Sequence, residues 1–486
     1  MVAAVLAGLL ALLVWSRLSG LDQSLWHDEV WTVVYYVRGG PRAIFGRYIP
    51  NDHMLFSLLA WATASALGPS EVVYRLWAVV PGCVAIVVLV AWLVRRDGGA
   101  AAIAAAILGL TSPIHLQYGR DARGYGLAFL AEAVLVVAAT ELAARGARGA
   151  GAPRSARGPA IALALAGVAG MCTLPVLVLP FVAAVAALAI LGDARARRSA
   201  IATAAFAGVV ALAFYAPVAR QVVVASSQKA GPKVPWSGFA TLPPAHLFQW
   251  HADAYLGATS ALAVRVATYV AFALGFVRAL RLAGAAGALA IALPIPFTYA
   301  ALAAAGMHLE PRFVSWLAMN GIALAALGVA EAIERAARRP ALGKAAVAAA
   351  SIAGALAVWR FVAIARDHVA LPRENWKAVA EIVQQSGIAT VVSDSGRRQA
   401  LDYYLGRPVL IPSAEGLDRL LCRDSSPLVF VHHPVRSVPA DRGCLERSGA
   451  RRYVVPQRTS YGGDALEVWI RAAPERASEH ARPAER

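Results

Sequence analysis

The chain has 486 residues, 59% hydrophobic and 15% charged, with a mean hydropathy of +0.57, which excludes an ordinary soluble globular protein. The formal net charge of +17 would suit nucleic acid, but much of the arginine falls in short loops between apolar runs, the pattern of cytoplasmic membrane loops, so no nucleic-acid partner is expected. Runs rich in Ala, Val and Leu recur to about residue 365, each long enough or nearly so to cross a hydrocarbon core of roughly 30 Å. The predicted organisation is a polytopic α-helical membrane domain over 1–365, a small C-terminal α/β domain over 366–473 and a charged, disordered tail over 474–486.

The first run, 1–17, lacks a basic leader and a small-residue cleavage site, and reads as a retained span. A polar segment, 18–52, carries Trp26-His27-Asp28-Glu29, an adjacent acidic pair between tryptophans beside the bilayer. The apolar stretch 53–67 follows, about 22 Å long as a helix, and Gly68-Pro69 ends it. Span 75–94 closes at Arg95-Arg96. Run 99–113 ends at Ser112-Pro113 and leads into Gln117-Tyr118-Gly119-Arg120-Asp121-Ala122-Arg123-Gly124-Tyr125. Then come span 126–143, a hairpin of two short spans over 159–191 broken near Pro175, and span 199–217. After the polar loop 220–260, with Lys229 and Lys233, spans 262–280 and 283–305 lead to Glu310-Pro311-Arg312. Spans 313–331 and 345–365 complete the domain.

Basic clusters at 95–96, 145–157, 195–198, 278–281 and 335–344 are separated by even numbers of crossings, so all fit the cytoplasmic side. Asp121, the 220–260 loop, Glu310, Arg312 and the C-terminal domain then lie outside the cell. The side of Asp28 depends on 53–67. Its short length, its polar His53, Ser57, Thr63 and Ser65 and its Gly-Pro stop favour a helix lying flat at the interface. About eleven spans result, with Trp26–Glu29, Asn51-Asp52-His53, Arg75, Gln117–Tyr125 and Glu310–Arg312 on one outer face.

Carboxylates there suit a general base or a metal. Arginine forks suit phosphate. Tyrosine and tryptophan suit sugar faces and membrane interfaces. Each motif also has a plainer reading. Asp121 with Arg120 and Arg123 could be a loop ion pair, Arg75 could snorkel from a span end, His53 could cap a helix, and Glu310-Pro311-Arg312 could be a tight turn.

Trp26-His27-Asp28-Glu29 resembles the acidic first-loop motif of the GT-C superfamily of polytopic glycosyltransferases, in the branch of protein O-mannosyltransferases and aminoarabinose transferases. Tyr118–Tyr125 resembles that branch's Tyr-Ser-Gln-Glu-Ala-Arg-Met-Tyr motif, with Asp121 at the acidic position. Asn51-Asp52-His53 is similar to its Asn-Asn-His or His-Pro-Pro element, although Asp52 and the missing Pro-Pro are departures. Glu310-Pro311-Arg312-Phe313 resembles a late motif, and Arg373–Lys377 opens a tail like that of some members.

The resemblance implies transfer of a hexose or pentose from a polyprenyl-phosphate sugar to a hydroxyl of a protein, lipid or polysaccharide acceptor. In that reading Asp28 is the general base, with Glu29 and Asp121 also catalytic or orienting. Arg123, Arg312 and Arg75 hold the donor phosphate, with Lys229 or Lys233 as further candidates. Trp26, Asn51, Asp52, His53, Gln117, Tyr118, Tyr125 and Glu310 line the substrates. No cofactor is required, and a divalent metal stays open because members of the family differ. The absence of a Gly-rich phosphate signal fits a donor that is not a nucleotide sugar.

In the tail, Trp376–Gln385 reads as a helix and Ala389–Ser393, Val409–Pro412, Leu428–His432 and Leu466–Ile470 as strands. An extracytoplasmic tail permits a Cys422–Cys444 disulfide, while Cys83 and Cys172 read as packing residues. Two rival functions exist. A lipid-linked sugar transporter calls for internal repeats and midplane charges, and the sequence has neither clearly. A non-catalytic scaffold has no need of Asp28, Asp121 and Arg312 on one face.

Overall fold

A computed structural model describes residues 1–49, 52–147, 157–228, 262–305, 311–394, 398–432, 443–457 and 465–472. They form two compact units, one of Met1–Leu21 with Tyr35–Arg366 and one of Asp22–Val34 with Asp367–Arg486. The acidic segment around Asp28 therefore groups with the C-terminal unit, and not with the helices that flank it in sequence.

The first unit is helical, and its boundaries follow its punctuation. Ser70 caps the helix Glu71–Arg96, its Oγ accepting from the Val73 amide at 3.2 Å, and Arg95 and Arg96 fill the last turn, where the helix dipole favours cations. Gly99–Thr111 stops at Ser112-Pro113. The expected hairpin appears as Arg157–Thr173 and Val178–Leu191, joined by a 3-10 turn over Pro175–Leu177. Leu262–Ala292 is broken at Gly284, whose φ of 66° is left-handed, just after Arg278 and Arg281 where two spans were expected to part. Pro294–Ala304, Ala318–Ala337 and Pro340–Ala370 complete the unit.

Six of the described helices are long and apolar enough to cross a membrane. Val2–Leu18, Met54–Leu67, Gly99–Thr111, Arg157–Thr173 and the 175–191 segment are apolar but shorter. At 14 residues, about 21 Å, Met54–Leu67 is shorter than the hydrocarbon core.

Leu262–Ala292 packs on Ala318–Ala337, and Glu71–Arg96 on Tyr125–Ala147. Without water between helices, such contacts depend on close backbone approach. A Cβ added at Gly275 would lie 1.9 Å from the Leu324 carbonyl oxygen, and one at Gly328 would lie 1.9 Å from that of Ala271. The two glycines thus set the spacing of that pair. Leu89, Leu110, Phe129, Trp316 and Leu327 are among the side chains that fill the core around it.

The second unit carries a four-stranded sheet in the order β1-β2-β4-β3, with β1 Val391–Ser393, β2 Leu428–His432, β3 Arg451–Val455 and β4 Leu466–Arg471. β1 and β2 are parallel, and the crossover between them holds the helix Arg398–Leu405; β4 is antiparallel to both β2 and β3. The near-continuous apolar run of β2 fits its central place.

Two strand expectations change. Val409–Pro412 makes only one bridge, Leu410 to Val392, because the prolines at its borders cannot donate to a ladder. Arg451–Val455 is a strand that the sequence reading lacks. It is an edge strand with an exposed, charged face, so it has no apolar alternation to read.

Cys422 and Cys444 are bonded to each other, as expected, across a sequence separation of 22. Closing a loop of that size contributes roughly 3 kcal/mol through the unfolded state. Cys422→Ser in the full chain should therefore speed amide exchange across β2 and β4, which flank the bridge's hydrophobic cluster. Unchanged exchange there would contradict a stabilising role.

Candidate functional site

In the first unit the site begins at Ser112-Pro113. Pro113 starts the short helix Pro113–Tyr118, and the Ser112 Oγ accepts from the His115 amide at 3.4 Å. The chain then turns through 119–124 before entering Tyr125–Ala147. This turn buries Arg120, Asp121 and Arg123, each less than a tenth exposed. Arg120 donates to the Ser19 carbonyl, which fixes one side of the turn.

His53 fixes the other side. It occupies the N-cap position of Met54–Leu67, yet its side chain makes no cap. Its Nδ1 accepts from the Gly124 amide at 2.6 Å, and its Nε2 lies 3.2 Å from Nη2 of Arg123. A ring that accepts at Nδ1 carries its proton on Nε2 when neutral. Two N–H donors, imidazole and guanidinium, therefore meet side by side. Burial, then the charge of Arg123, hold the ring well below its usual pKa, so it stays neutral. A Cβ at Gly124 would fall 2.8 Å from the His53 Nδ1, which explains a glycine at this position. Tyr125 meets His53 edge-on with ring centroids 4.9 Å apart, and Tyr118 lies at the same distance from Tyr125. Gln117 is half-buried at the end of the short helix.

Asp52 precedes His53 and is 2% exposed. Its Oδ1 has Ser57 Oγ at 3.5 Å, while its Oδ2 has no hydrogen-bond partner among the described residues. Burial pushes its pKa up to about 7, against the opposing pull of the His53 backbone amide, Arg123 and Ser57. Burial and the nearby Asp52 charge also raise the phenols of Tyr36 and Tyr48, the latter to about 12. Neither tyrosine stands out in the sequence, because nothing in their spacing ties them to Asp52.

Arg75 is buried, and its Nη1 donates to the Leu21 carbonyl at 2.7 Å. It is therefore no snorkelling side chain, and any phosphate there would share the guanidinium with that carbonyl.

In the second unit, Trp26 precedes the short helix His27–Thr32. Glu29 is fully buried and its Oε2 accepts from the Trp26 amide at 2.9 Å, so one of its oxygens is engaged in closing the first turn. Asp28, next to it, is half-buried.

The segment 373–376 docks on this motif. The Glu374 Oε2 accepts from the His27 amide at 2.9 Å and from Nε1 of Trp376 at 2.7 Å. Arg373 stacks over the Trp26 ring at 3.5 Å from its centroid, and the Trp376 amide donates to Ser24 Oγ at 3.1 Å. Sequence reading took 373–377 only as the start of the tail. The signal was a tryptophan and a glutamate, both destined for burial, directly after the last apolar helix.

The two motifs most specific to the resemblance thus belong to different units, Asp28 to one and Asp121 and Arg123 to the other. Asn51, Glu310, Lys229 and Lys233 lie outside the described residues, and of Arg312 only the backbone is described, in the 3-10 helix Pro311–Leu317. Among the described residues no three His, Cys, Asp or Glu side chains converge as metal ligands.

The position of Asp52 makes a pH prediction. Between pH 4 and 7 the unfolded chain ionises this carboxyl while the folded chain keeps it protonated, so wild-type stability falls as pH rises through that window. Asp52→Asn has nothing to ionise. Its thermal midpoint relative to wild type should rise from pH 4 to 7 and level off above. A difference flat in pH would mean that Asp52 is ionised throughout.

No protein-family model matches the sequence, and no curated protein does. Solved structures do. One is the aminoarabinose transferase ArnT from Cupriavidus metallidurans bound to undecaprenyl phosphate, with a TM-score of 0.55 at 14% identity over 97% of this chain and 98% of that one. Its apo state gives a TM-score of 0.53 at 15% identity over 95% and 96%. The archaeal oligosaccharyltransferase AglB from Archaeoglobus fulgidus, in complex with an inhibitory peptide and a dolichol-phosphate, gives 0.52 at 12% identity over 88% and 69%. Both proteins are members of the GT-C superfamily. The likeness, which runs nearly end to end in ArnT, shows that this chain has the GT-C fold.

Proposed function

We propose that the protein is a glycosyltransferase that moves a hexose or pentose from a polyprenyl-phosphate sugar to a hydroxyl acceptor at the extracytoplasmic membrane surface. The observation that carries this reading is the end-to-end fold likeness to a transferase solved with undecaprenyl phosphate. The meeting of Arg123 and His53 adds to it. Two buried N–H donors side by side suit a phosphate oxygen, which accepts from both.

In the proposed reaction the acceptor hydroxyl attacks the anomeric carbon from the side opposite the phosphate, and Asp28 takes its proton. The new C–O bond forms as the bond from the anomeric carbon to the phosphate oxygen breaks. The lipid phosphate leaves with that electron pair, and the anomeric centre inverts. Arg123 and Arg312 would hold the charge that develops on the phosphate. Asp28 is the base in this reading because it is half-buried, whereas Glu29 is fully buried and engaged with the Trp26 amide. Asp121 is the reserve. No step runs through a metal. The acceptor is a hydroxyl of protein, lipid or polysaccharide.

A positioned base is worth roughly a hundred- to ten-thousandfold. Asp28→Asn should lower transfer from a radiolabelled polyprenyl-phosphate sugar by that factor and leave donor binding near wild type. Wild-type turnover would rule Asp28 out. If Asp121→Asn is silent as well while a lipid-linked sugar still crosses the membrane, the protein is a transporter.

The orientation has its own test. Cysteines replacing Asp28 and Ser227 should both react with an impermeant thiol reagent added outside intact cells. Reaction at 227 alone would make Met54–Leu67 a crossing helix and separate Asp28 from the proposed site.

A further inference from the structure

At the end of the first unit where the basic loops gather, an open cavity of about 680 Å³ lies against Arg281, Glu331, Arg335, Arg338 and Arg339, with Val277 and Leu342 as apolar walls. Its floor is an ion-pair network. Glu331, 2% exposed, accepts from Arg278, Arg281 and Arg335. Arg278 also pairs with Asp97, and with Glu334 at 2.5 Å. Arg281 and Arg338 each reach Glu334 only at 3.9 Å, where an exposed pair is weak. Arg339 pairs with no carboxylate among the described residues. Five arginines thus face three carboxylates, and the surplus of two positive charges falls on Arg338 and Arg339 at the rim.

The walls limit what the surplus can meet. Val277 is 37% and Leu342 51% exposed, and Val347, Ile352, Leu356 and Trp359 are also exposed around the helix Pro340–Ala370. That helix is apolar and long enough to cross a membrane, and only 6% of its apolar window is buried within the protein. A ligand here meets guanidinium groups at one end and a lipid-facing apolar wall below them. A free anion would use only the first. An amphiphile with a phosphate head and hydrocarbon chains uses both.

We propose that this cavity is a binding site for an anionic phospholipid of the leaflet on the basic-loop side, its headgroup phosphate held by Arg338 and Arg339 and its chains lying against Val277 and Leu342. Under the positive-inside rule that leaflet is the cytoplasmic one. The site shares no residue with Arg123 and His53 and does not depend on the proposed transfer reaction.

The test is native mass spectrometry of the full chain, released from micelles holding equal amounts of dioleoylphosphatidylglycerol and dioleoylphosphatidylcholine. With about a tenfold gain for each 1.4 kcal/mol and about 1 kcal/mol per rim arginine, the anionic lipid should be preferred roughly tenfold or more. Arg338→Gln with Arg339→Gln should abolish the preference, and lysine at both positions should restore most of it. If the double variant does not fold, Arg339→Gln alone carries the test, since Arg339 pairs with no carboxylate among the described residues. Equal occupancy by the two lipids would overturn the proposal. So would a full preference in the glutamine variant, which would put the lipid elsewhere. Displacement of the lipid by millimolar inorganic phosphate would make this a free-anion site and would also overturn it.

Discussion

The first unit depends on a buried arginine at the end of its first helix. Arg17 is 1% exposed, and its Nη2 donates to the carbonyls of Gly109 and Leu110 at 3.3 and 3.2 Å. Those carbonyls belong to the last turn of Gly99–Thr111, where a helix leaves acceptors unsatisfied and a cation is favoured. The same nitrogen lies 2.9 Å from Nδ1 of His115, whose Nε2 faces the Gly82 carbonyl at 2.9 Å. Its Nη1 donates to Ser16 Oγ at 2.8 Å, and the guanidinium lies over the ring of Phe361. One guanidinium thus ties the first helix to 99–111, and through His115 to 71–96. Because His115 lies on the short helix Pro113–Tyr118, the same contact sets where the 119–124 turn begins.

The polar turn depends on this arrangement. Arg120 grips Ser19 and Arg75 grips Leu21, so three arginines hold main-chain carbonyls between residues 19 and 21 or at 109–110. A carbonyl is a neutral partner. It satisfies a donor without discharging the guanidinium. His53 cannot add to that charge, since burial and Arg123 keep it neutral, and the neighbouring Asp52 is itself pushed toward the protonated form.

The sequence was most informative where a residue type has one physical use. Apolar runs, Ser-Pro and Gly-Pro stops and basic loops located the helices, the 175–177 break and the parting at Gly284. Glycine at 124 and the tyrosines at 118 and 125 came within a recognisable motif. The sequence was least informative about which charged residues are spent on the protein itself. Arg17, Arg75, Arg120 and Arg123 look alike as letters, yet three of them grip carbonyls and one faces a histidine. Glu29 reads as half of an acidic pair, but one of its oxygens closes a helix turn. Glu374 reads as tail, but it organises the Asp28 motif. Apart from Glu29, whose partner Trp26 is only three positions away, each case depends on a partner tens to hundreds of positions away, which periodicity and local spacing cannot report.

The same limit explains the contrast between the two ends of the helical unit. At the basic-loop end arginine is abundant, and its partners are carboxylates on neighbouring helices. Glu331 neutralises some of it, and the remainder stays at an exposed rim beside lipid-facing side chains. At the other end Arg17, Arg75 and Arg120 are buried and donate to main-chain carbonyls. Charge in water beside a membrane favours orientation and lipid contact and is weak in any single pair. Charge held inside a helical unit is costly unless every donor has work to do, and it is then strong. Placing the surplus at one end and the buried, structurally engaged arginines at the other lets a single residue type serve both contact with the bilayer surface and, in the proposed reaction, recognition of a lipid phosphate.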